Sequence, residues 1–176
     1  MKMKNEVLNA IHNRRSVKKY TDKPVPAEIL AEILEAGSWA ANGKAWQAPV
    51  MVAVTDPETR EILRKLNAGV LGNPDADPFY GAPTVVVVLA DSDRFTYVED
   101  GSLVIGNMML AAYSLGVDSC WIHRARQMFE TEEGKALKAK WGLGDNYIGI
   151  GNCILGYRDC DYPEPKPRRE GRIIYN

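Results

Sequence analysis

The sequence is poor in the side chains that most often carry chemistry. It has two histidines, His12 and His123, and neither stands in an HExxH or comparable arrangement. Its three cysteines, Cys120, Cys153 and Cys160, are an odd number without CxxC spacing, which argues against a disulfide framework and a zinc site and for free, buried thiols. No metal is expected. No long apolar run occurs: Val85 to Ala90 is the longest aliphatic stretch, far below the roughly 20 residues that span a bilayer. Met1 to Ser16 carries charges where a signal peptide needs an apolar segment, so the expectation is a soluble, cytoplasmic protein with no membrane partner. An excess of one charge is also missing. Lys and Arg total 22 against 23 Asp and Glu, a net charge of −1, which offers no global field to gather nucleic acid. Any anion site must therefore be local.

Familiar catalytic and phosphate motifs are absent too. There is no GxxxxGK[ST], and Gly149-Ile150-Gly151 lacks the third glycine of a dinucleotide fingerprint. Its glycines fit better with close approach of another element or a flat ring. Ser16, Ser102 and Ser114 lie in no GxSxG, and Cys120 and His123, three apart on a short strand, point to opposite faces. With no evident acid, base, metal or nucleophile, any enzymatic chemistry would be carried by a cofactor.

What is present is an ordinary globular composition over 176 residues, with 45% hydrophobic and 26% charged side chains. That suits one domain, 1–176, with a core that needs no staples. Val7, Leu8 and Ile11 mark one face of a first helix, and Ile29, Leu30, Ile33 and Leu34 mark a second, between Pro26 and Gly37. Val50 to Val54 reads as a strand buried on both faces, and Asp56-Pro57 as the start of a helix carrying Ile62, Leu63 and Leu66. The breakers from Asn67 to Pro83 predict a long irregular loop. A second buried strand (84–90), a helix apolar on most sides (97–115), a strand (118–122), a helix capped by Thr131 and a strand (147–156) follow. The helix at 97–115 belongs in a core or a subunit interface. From Tyr157 the prolines and charges read as an extended arm.

Two basic clusters bracket the chain: Arg14, Arg15, Lys18 and Lys19 after the first helix, and Lys166, Arg168 and Arg169 in the tail. Each alone reads more readily as a solvated basic segment. A fold that joined them would make one strong anion site, because guanidinium forks pair with phosphate oxygens.

Taken in order, several segments resemble the FMN-dependent nitroreductase family. They are Asn13-Arg14-Arg15-Ser16-Val17-Lys18-Lys19-Tyr20, Pro24-Val25-Pro26 before EILAEILEAG, the loop with Gln47, and Phe79-Tyr80-Gly81-Ala82-Pro83 before the valine strand. Asp100-Gly101-Ser102-Leu103 through Leu115-Gly116, Gly149-Ile150-Gly151 through Tyr157, and Lys166-Pro167-Arg168 complete the match, as in a short member of that family.

The resemblance implies an α+β fold in three layers, α/β/α, with a central mixed, mainly antiparallel sheet. It implies a homodimer with FMN at the subunit interface and residues 157–176 extended onto the partner. Carried over, Arg14, Arg15, Ser16 and Lys18 would hold the phosphate, ribityl chain and pyrimidine edge, and Lys166 and Arg168 would close on the phosphate. Ile122 and His123 would pass beside the flavin N5 edge, with Gln47 lying along the ring from the partner. No side chain would be catalytic: hydride would pass from NADH or NADPH through FMN N5, in ping-pong order, to a nitroaromatic, quinone or flavin. A reductive dehalogenase-like or flavin reductase member is one alternative, and a non-catalytic FMN-binding or sequestering protein another.

Two departures bear on this. Ala45 stands where many members carry Asn two residues before the Gln, and His123-Arg124 stand where many carry an acid and Gly. A cation at the flavin would favour the anionic reduced form; the other reading has both side chains facing solvent.

Overall fold

The valine run becomes the centre of the molecule. In the computed structural model, which describes residues 5–176, strand β2 (Thr84–Asp91) places Val85 through Ala90 at 0% exposure. It pairs with β1 (Pro49–Val54) on one side and β4 (Tyr147–Gly156) on the other, and β3 (Asp118–Ile122) closes the order β1-β2-β4-β3. All named pairs are antiparallel, in registers such as Val50↔Leu89, Val86↔Cys153 and Cys120↔Ile154. The parallel element is a single bridge at the outer edge, Ser16↔Ser119.

Helices cover both faces, which is why β2 reads as an unbroken apolar run and does not alternate. Val86, Val88, Cys153 and Leu155 face one layer with Ile33 of α2 (Ala27–Ser38) and Ile105 and Met108 of α4 (Tyr97–Ser114). Helices α2 and α4 approach closely at Gly37, where a Cβ would lie 2.7 Å from Met108 and 2.8 Å from Met51. Val85, Val87, Leu89, Cys120 and Ile154 face the other layer, with Phe79 and residues of α3 (Pro57–Leu71), α5 (Ala125–Met128) and α6 (Glu132–Lys140). The fold is thus α+β in three layers, as expected.

Caps act where the sequence places them. Asp56 accepts from Thr59 N–H at 2.8 Å and Thr131 from Gly134 N–H at 3.0 Å, each satisfying a donor that a helix start leaves open.

Four features differ from expectation. Strand β1 is an edge strand and only its Val54 is buried, because among the described residues nothing pairs beyond it. Helix α3 continues to Leu71, carrying Asn67 and Gly69 as helical residues, since Gly69 faces open space and the stop is supplied by Gly72 at φ 75°. Short helix α5 stands between the strand at 118–122 and the helix capped by Thr131, where no element is expected. The tail stays on the body as far as Tyr162, tied by Thr21 N–H to the Tyr157 carbonyl (2.8 Å) and Asp159 N–H to the Lys19 carbonyl (3.0 Å). From Glu164 the chain is exposed through Tyr175. Helix α1 (Glu6–Asn13) and α4 leave Val7, Ile11 and Leu103 exposed on this chain.

Burial pushes the Cys120 thiol up, against a smaller opposing pull from Ser16, Lys18 and Arg14, and pushes the Cys153 thiol up to about 12. Both are therefore protonated and shielded at pH 8, whereas Cys160 is exposed. Ellman's reagent at pH 8 is expected to label one thiol rapidly in the native protein and three after denaturation. Fast labelling of two or three would mean that the β3–β4 layer opens.

Candidate functional site

After α1 the chain leaves helical geometry at Arg14 (φ −55°, ψ 134°) and runs extended along the outer edge of β3. Val17 fixes the register: its side chain is fully buried and its N–H donates to the Ser119 carbonyl at 3.2 Å. Tyr20, also buried, donates its hydroxyl to the Val17 carbonyl at 2.9 Å. This leaves Ser16 and Lys18 exposed and Arg14 half-buried at the sheet edge.

The four cations meet different fates. Lys19 pairs with Asp159 at 2.9 Å. Arg15 turns back on its own segment, its Nη1 donating to the carbonyls of His12 (2.7 Å) and Arg14 (2.9 Å), while its Nε is buried without a partner among the described residues. Arg14 Nη1 lies 4.0 Å from the Met109 sulfur, and Lys18 Nζ lies 5.9 Å from the centre of the Tyr80 ring. Among the described residues none of Arg14, Arg15 and Lys18 has a carboxylate within 4 Å. The Ser119 hydroxyl beside them is buried and also lacks a partner among the described residues. Such an edge, with cations unneutralised and buried polar atoms unmatched, suits an anionic, oxygen-rich group.

The tail returns to this edge. Tyr20 and Arg158 form an antiparallel bridge, and Arg158 holds Asp118 with its N–H (3.1 Å) and its guanidinium (3.2 Å). The Tyr162 hydroxyl accepts from Arg15 N–H at 2.9 Å and donates to the Asn13 carbonyl at 3.0 Å. Lys166 lies four residues beyond that clip, within about 14 Å of extended chain. Lys166 and Arg168 are exposed, and among the described residues no hydrogen bond or ion pair joins them to Arg14, Arg15 or Lys18. The fold thus tethers the two basic clusters to one edge without closing them on a point.

At the other end of β3, Ile122 is buried and His123 exposed. Two buried asparagines hold this corner. Asn67 of α3 donates to the His123 carbonyl at 2.9 Å and accepts from Arg124 Nε at 2.9 Å; Asn152 of β4 donates to the Ile122 carbonyl at 3.3 Å. Arg124 takes φ 78°, a left-handed conformation rarely adopted by side chains other than glycine and asparagine. Of the two expected orientations, Arg124 takes neither fully: its Nε turns inward to Asn67 while the residue is half-buried, and His123 faces solvent. In the sequence Asn67 stands out only as a helix breaker. The usable signal was its place in the inward repeat Leu63, Leu66, Asn67, where an amide must find partners.

Gln47 is not brought to either end of β3 within this chain. It is exposed at φ 51°, its N–H donating to Asn42 Oδ1 at 2.9 Å, on a loop where Lys44 and Ala45 also have positive φ. Asp100, a buried carboxylate that sequence reasoning gave no role, holds the loop to α4 by accepting from Gly43 N–H and the Thr96 hydroxyl, each at 3.0 Å.

Replacing Asn67 by Ala would leave the His123 carbonyl and Arg124 Nε unmatched. A loss of about 1–3 kcal/mol is expected in denaturant unfolding, with faster amide exchange confined to residues around 122–125. Unfolding at the wild-type denaturant midpoint would show that water replaces the amide there.

Comparison with known proteins places this geometry. The Nitroreductase family profile matches residues 11–157. A protein of Archaeoglobus fulgidus named NADH dehydrogenase/NAD(P)H nitroreductase is 31% identical over 159 residues, covering 86% of this chain and 85% of its own. A protein of the same name from Methanothermobacter thermautotrophicus is 35% identical over 130 residues, or 67% of this chain, which spans 61% of that relative's length. Among solved structures, a nitroreductase from Bacteroides fragilis with bound FMN superposes with a TM-score of 0.90 at 31% identity, covering 98% of this chain and 100% of its own. With the pattern running from α1 through β4 and the fold shared along almost the whole length, this chain belongs to the nitroreductase family.

Proposed function

We propose that this protein is an FMN-dependent oxidoreductase that takes electrons from NADH or NADPH and passes them, in ping-pong order, to a small acceptor such as a nitroaromatic, a quinone or a flavin. The observation that carries the reading is the β3 edge, where Arg14, Arg15 and Lys18 stand without carboxylates and the Arg15 Nε and Ser119 hydroxyl are buried unmatched. A relative of known structure at 31% identity holds FMN, and curated relatives are named for NAD(P)H. The donor set fits that cofactor: cations for a phosphate, and a hydroxyl and an ammonium for polyol and ring oxygens.

In this reading Arg14 and Arg15, with Lys166 and Arg168 from the tail, hold the phosphate. Ser16 and Lys18 meet the ribityl chain and pyrimidine edge, and Ile122 and His123 flank the reactive edge through backbone groups. Bound FMN supplies hydride acceptance and donation at N5; the protein supplies position and keeps water out. The unit is one domain, 1–176, acting as a homodimer, with Gln47 contributed across the interface and, because 157–162 are tied to their own body, only the arm beyond Tyr162 extending onto the partner. The exposed apolar residues of α1 and α4 are surface for that contact. In this reading the enzyme is cytoplasmic. Among the described residues no helix is long and apolar enough to cross a membrane.

Purified protein should be yellow, and excess NADH or NADPH should bleach its visible absorbance under anaerobic conditions. Arg14→Ala or Arg168→Ala should weaken FMN retention tenfold or more with the far-ultraviolet circular dichroism preserved, as expected for loss of a charge-assisted contact. A colourless protein that takes up no added FMN overturns the reading, and a yellow protein that neither nucleotide bleaches leaves a flavin-binding protein without reductase activity.

A further inference from the structure

Beyond His123 the surface sinks into a cavity of about 380 Å³ between the start of α4, the end of β3, α5 and the irregular register of β4. Val98, Trp121 and Ile150 give it apolar walls, and His123, Arg124 and Arg126 give it donors; none of its lining residues is acidic. Gly149 makes the shape possible, because a Cβ there would run into the Ala125 carbonyl.

Both arginines are oriented by neutral partners. Arg124 Nε donates to Asn67 Oδ1 at 2.9 Å, and Arg126 Nη2 to the Tyr97 hydroxyl at 2.6 Å. Among the described residues neither guanidinium has a carboxylate within 4 Å. Each therefore keeps its full charge while losing freedom, the condition for gripping an oxyanion with a fixed fork. The strained backbone of Arg124 adds to this, since left-handed non-glycine residues persist where the surroundings enforce them, often at binding sites. The volume is at the small end of ligand cavities, enough for one ring with its substituent or for one end of a larger molecule.

We infer that this cavity recognises the anionic substituent of a planar substrate, the ring lying against Trp121 and Ile150 and the carboxylate or phosphate held by Arg124 and Arg126. The inference rests on the reading that flavin lies along β3, because only then does the cavity open onto the reacting ring. The same chemistry can come from a carboxylate on the electron acceptor or from the phosphates of the nicotinamide donor, and the two are separable.

The test compares wild type with an Arg124→Gln, Arg126→Gln double variant and with Arg124→Lys. For acceptors, the readout is the ratio of kcat/KM for 4-nitrobenzoate to that for neutral 4-nitrobenzamide; for donors, the ratio for NADPH to that for 1-benzyl-1,4-dihydronicotinamide, which has no phosphate. A tenfold or greater fall of either ratio in the double variant, partly restored in Arg124→Lys, supports the site and says which substrate brings the anion. If neither ratio falls threefold, the inference is overturned. Calorimetric titration with benzoate and benzamide, on protein as purified, reads the site without turnover. Saturable binding of benzoate alone, lost in the double variant, is expected, and equal binding of the two overturns the inference. Since calorimetry does not need FMN, a protein that carries no flavin would sink the functional proposal while this binding result still decided the anion site.

Discussion

The outer edge of β3 decides where the segments near the two ends of the described chain must lie. A sheet whose central strand is buried on both faces has two edges to manage, and an unpaired edge is a row of unsatisfied backbone groups. In this chain β1 keeps its edge half-exposed, but β3 has its edge taken by the segment after α1, through Val17 N–H on the Ser119 carbonyl. The tail then lies along that segment, pairing Tyr20 with Arg158 and laying the Tyr162 hydroxyl between Asn13 and Arg15. One requirement of sheet chemistry thereby gathers both chain ends. A charge balance near zero coexists with a concentrated cationic strip because residues 14–19 cannot go elsewhere without exposing Val17 and freeing the β3 edge.

The fold was largely legible because its strongest signals are local. The valine run, the Asp56 and Thr131 caps and the Gly-spaced β4 all state their conformation within a few residues. The departures are those where tertiary partners decide. An edge and a central strand differ by what lies beside them, not by their own residues, so Val50–Val54 could not declare itself an edge. Asn67 and Gly69 are poor helix residues that the packing of Leu63, Leu66 and Ala68 carries into α3. For the site, charge pattern alone was ambiguous, since four cations in six residues also describe a solvated turn. The order of motifs along the whole chain identifies the family, which a charge pattern cannot do. The clip at Tyr162 joins residues 147 positions apart, and no local pattern encodes such a contact.

Polar burial at the other end of β3 follows a different logic. Asn67 and Asn152 are fully buried, and the Ile122 and His123 carbonyls and the Arg124 guanidinium depend on them. An apolar side chain would cost less to bury, but it could not fix a carbonyl direction or hold Arg124 in the left-handed region. The Asn152 Oδ1 remains unmatched in the same place, so the corner is held at less than full polar satisfaction. Rigid backbone at this point matters if a flat ring is to lie against it, because groups that orient a reacting edge are effective only when they do not move.

The choice of asparagine over a carboxylate at position 67 has an electrostatic consequence. An acid would orient Arg124 equally well, yet it would also cancel most of its field, because paired charges a few ångströms apart appear nearly neutral to a third group. A neutral amide separates the two functions: direction comes from the hydrogen bond and charge stays with the guanidinium. The same holds for Arg126 on the Tyr97 hydroxyl. The chain thus presents two cationic regions at the two ends of one short strand, one joined to both chain ends and one oriented by neutral partners. A cofactor phosphate drawn to the first and a substrate anion drawn to the second would set their planar parts facing along β3. The separation of charge along a single edge strand can therefore impose orientation on both molecules without any acid or base taking part.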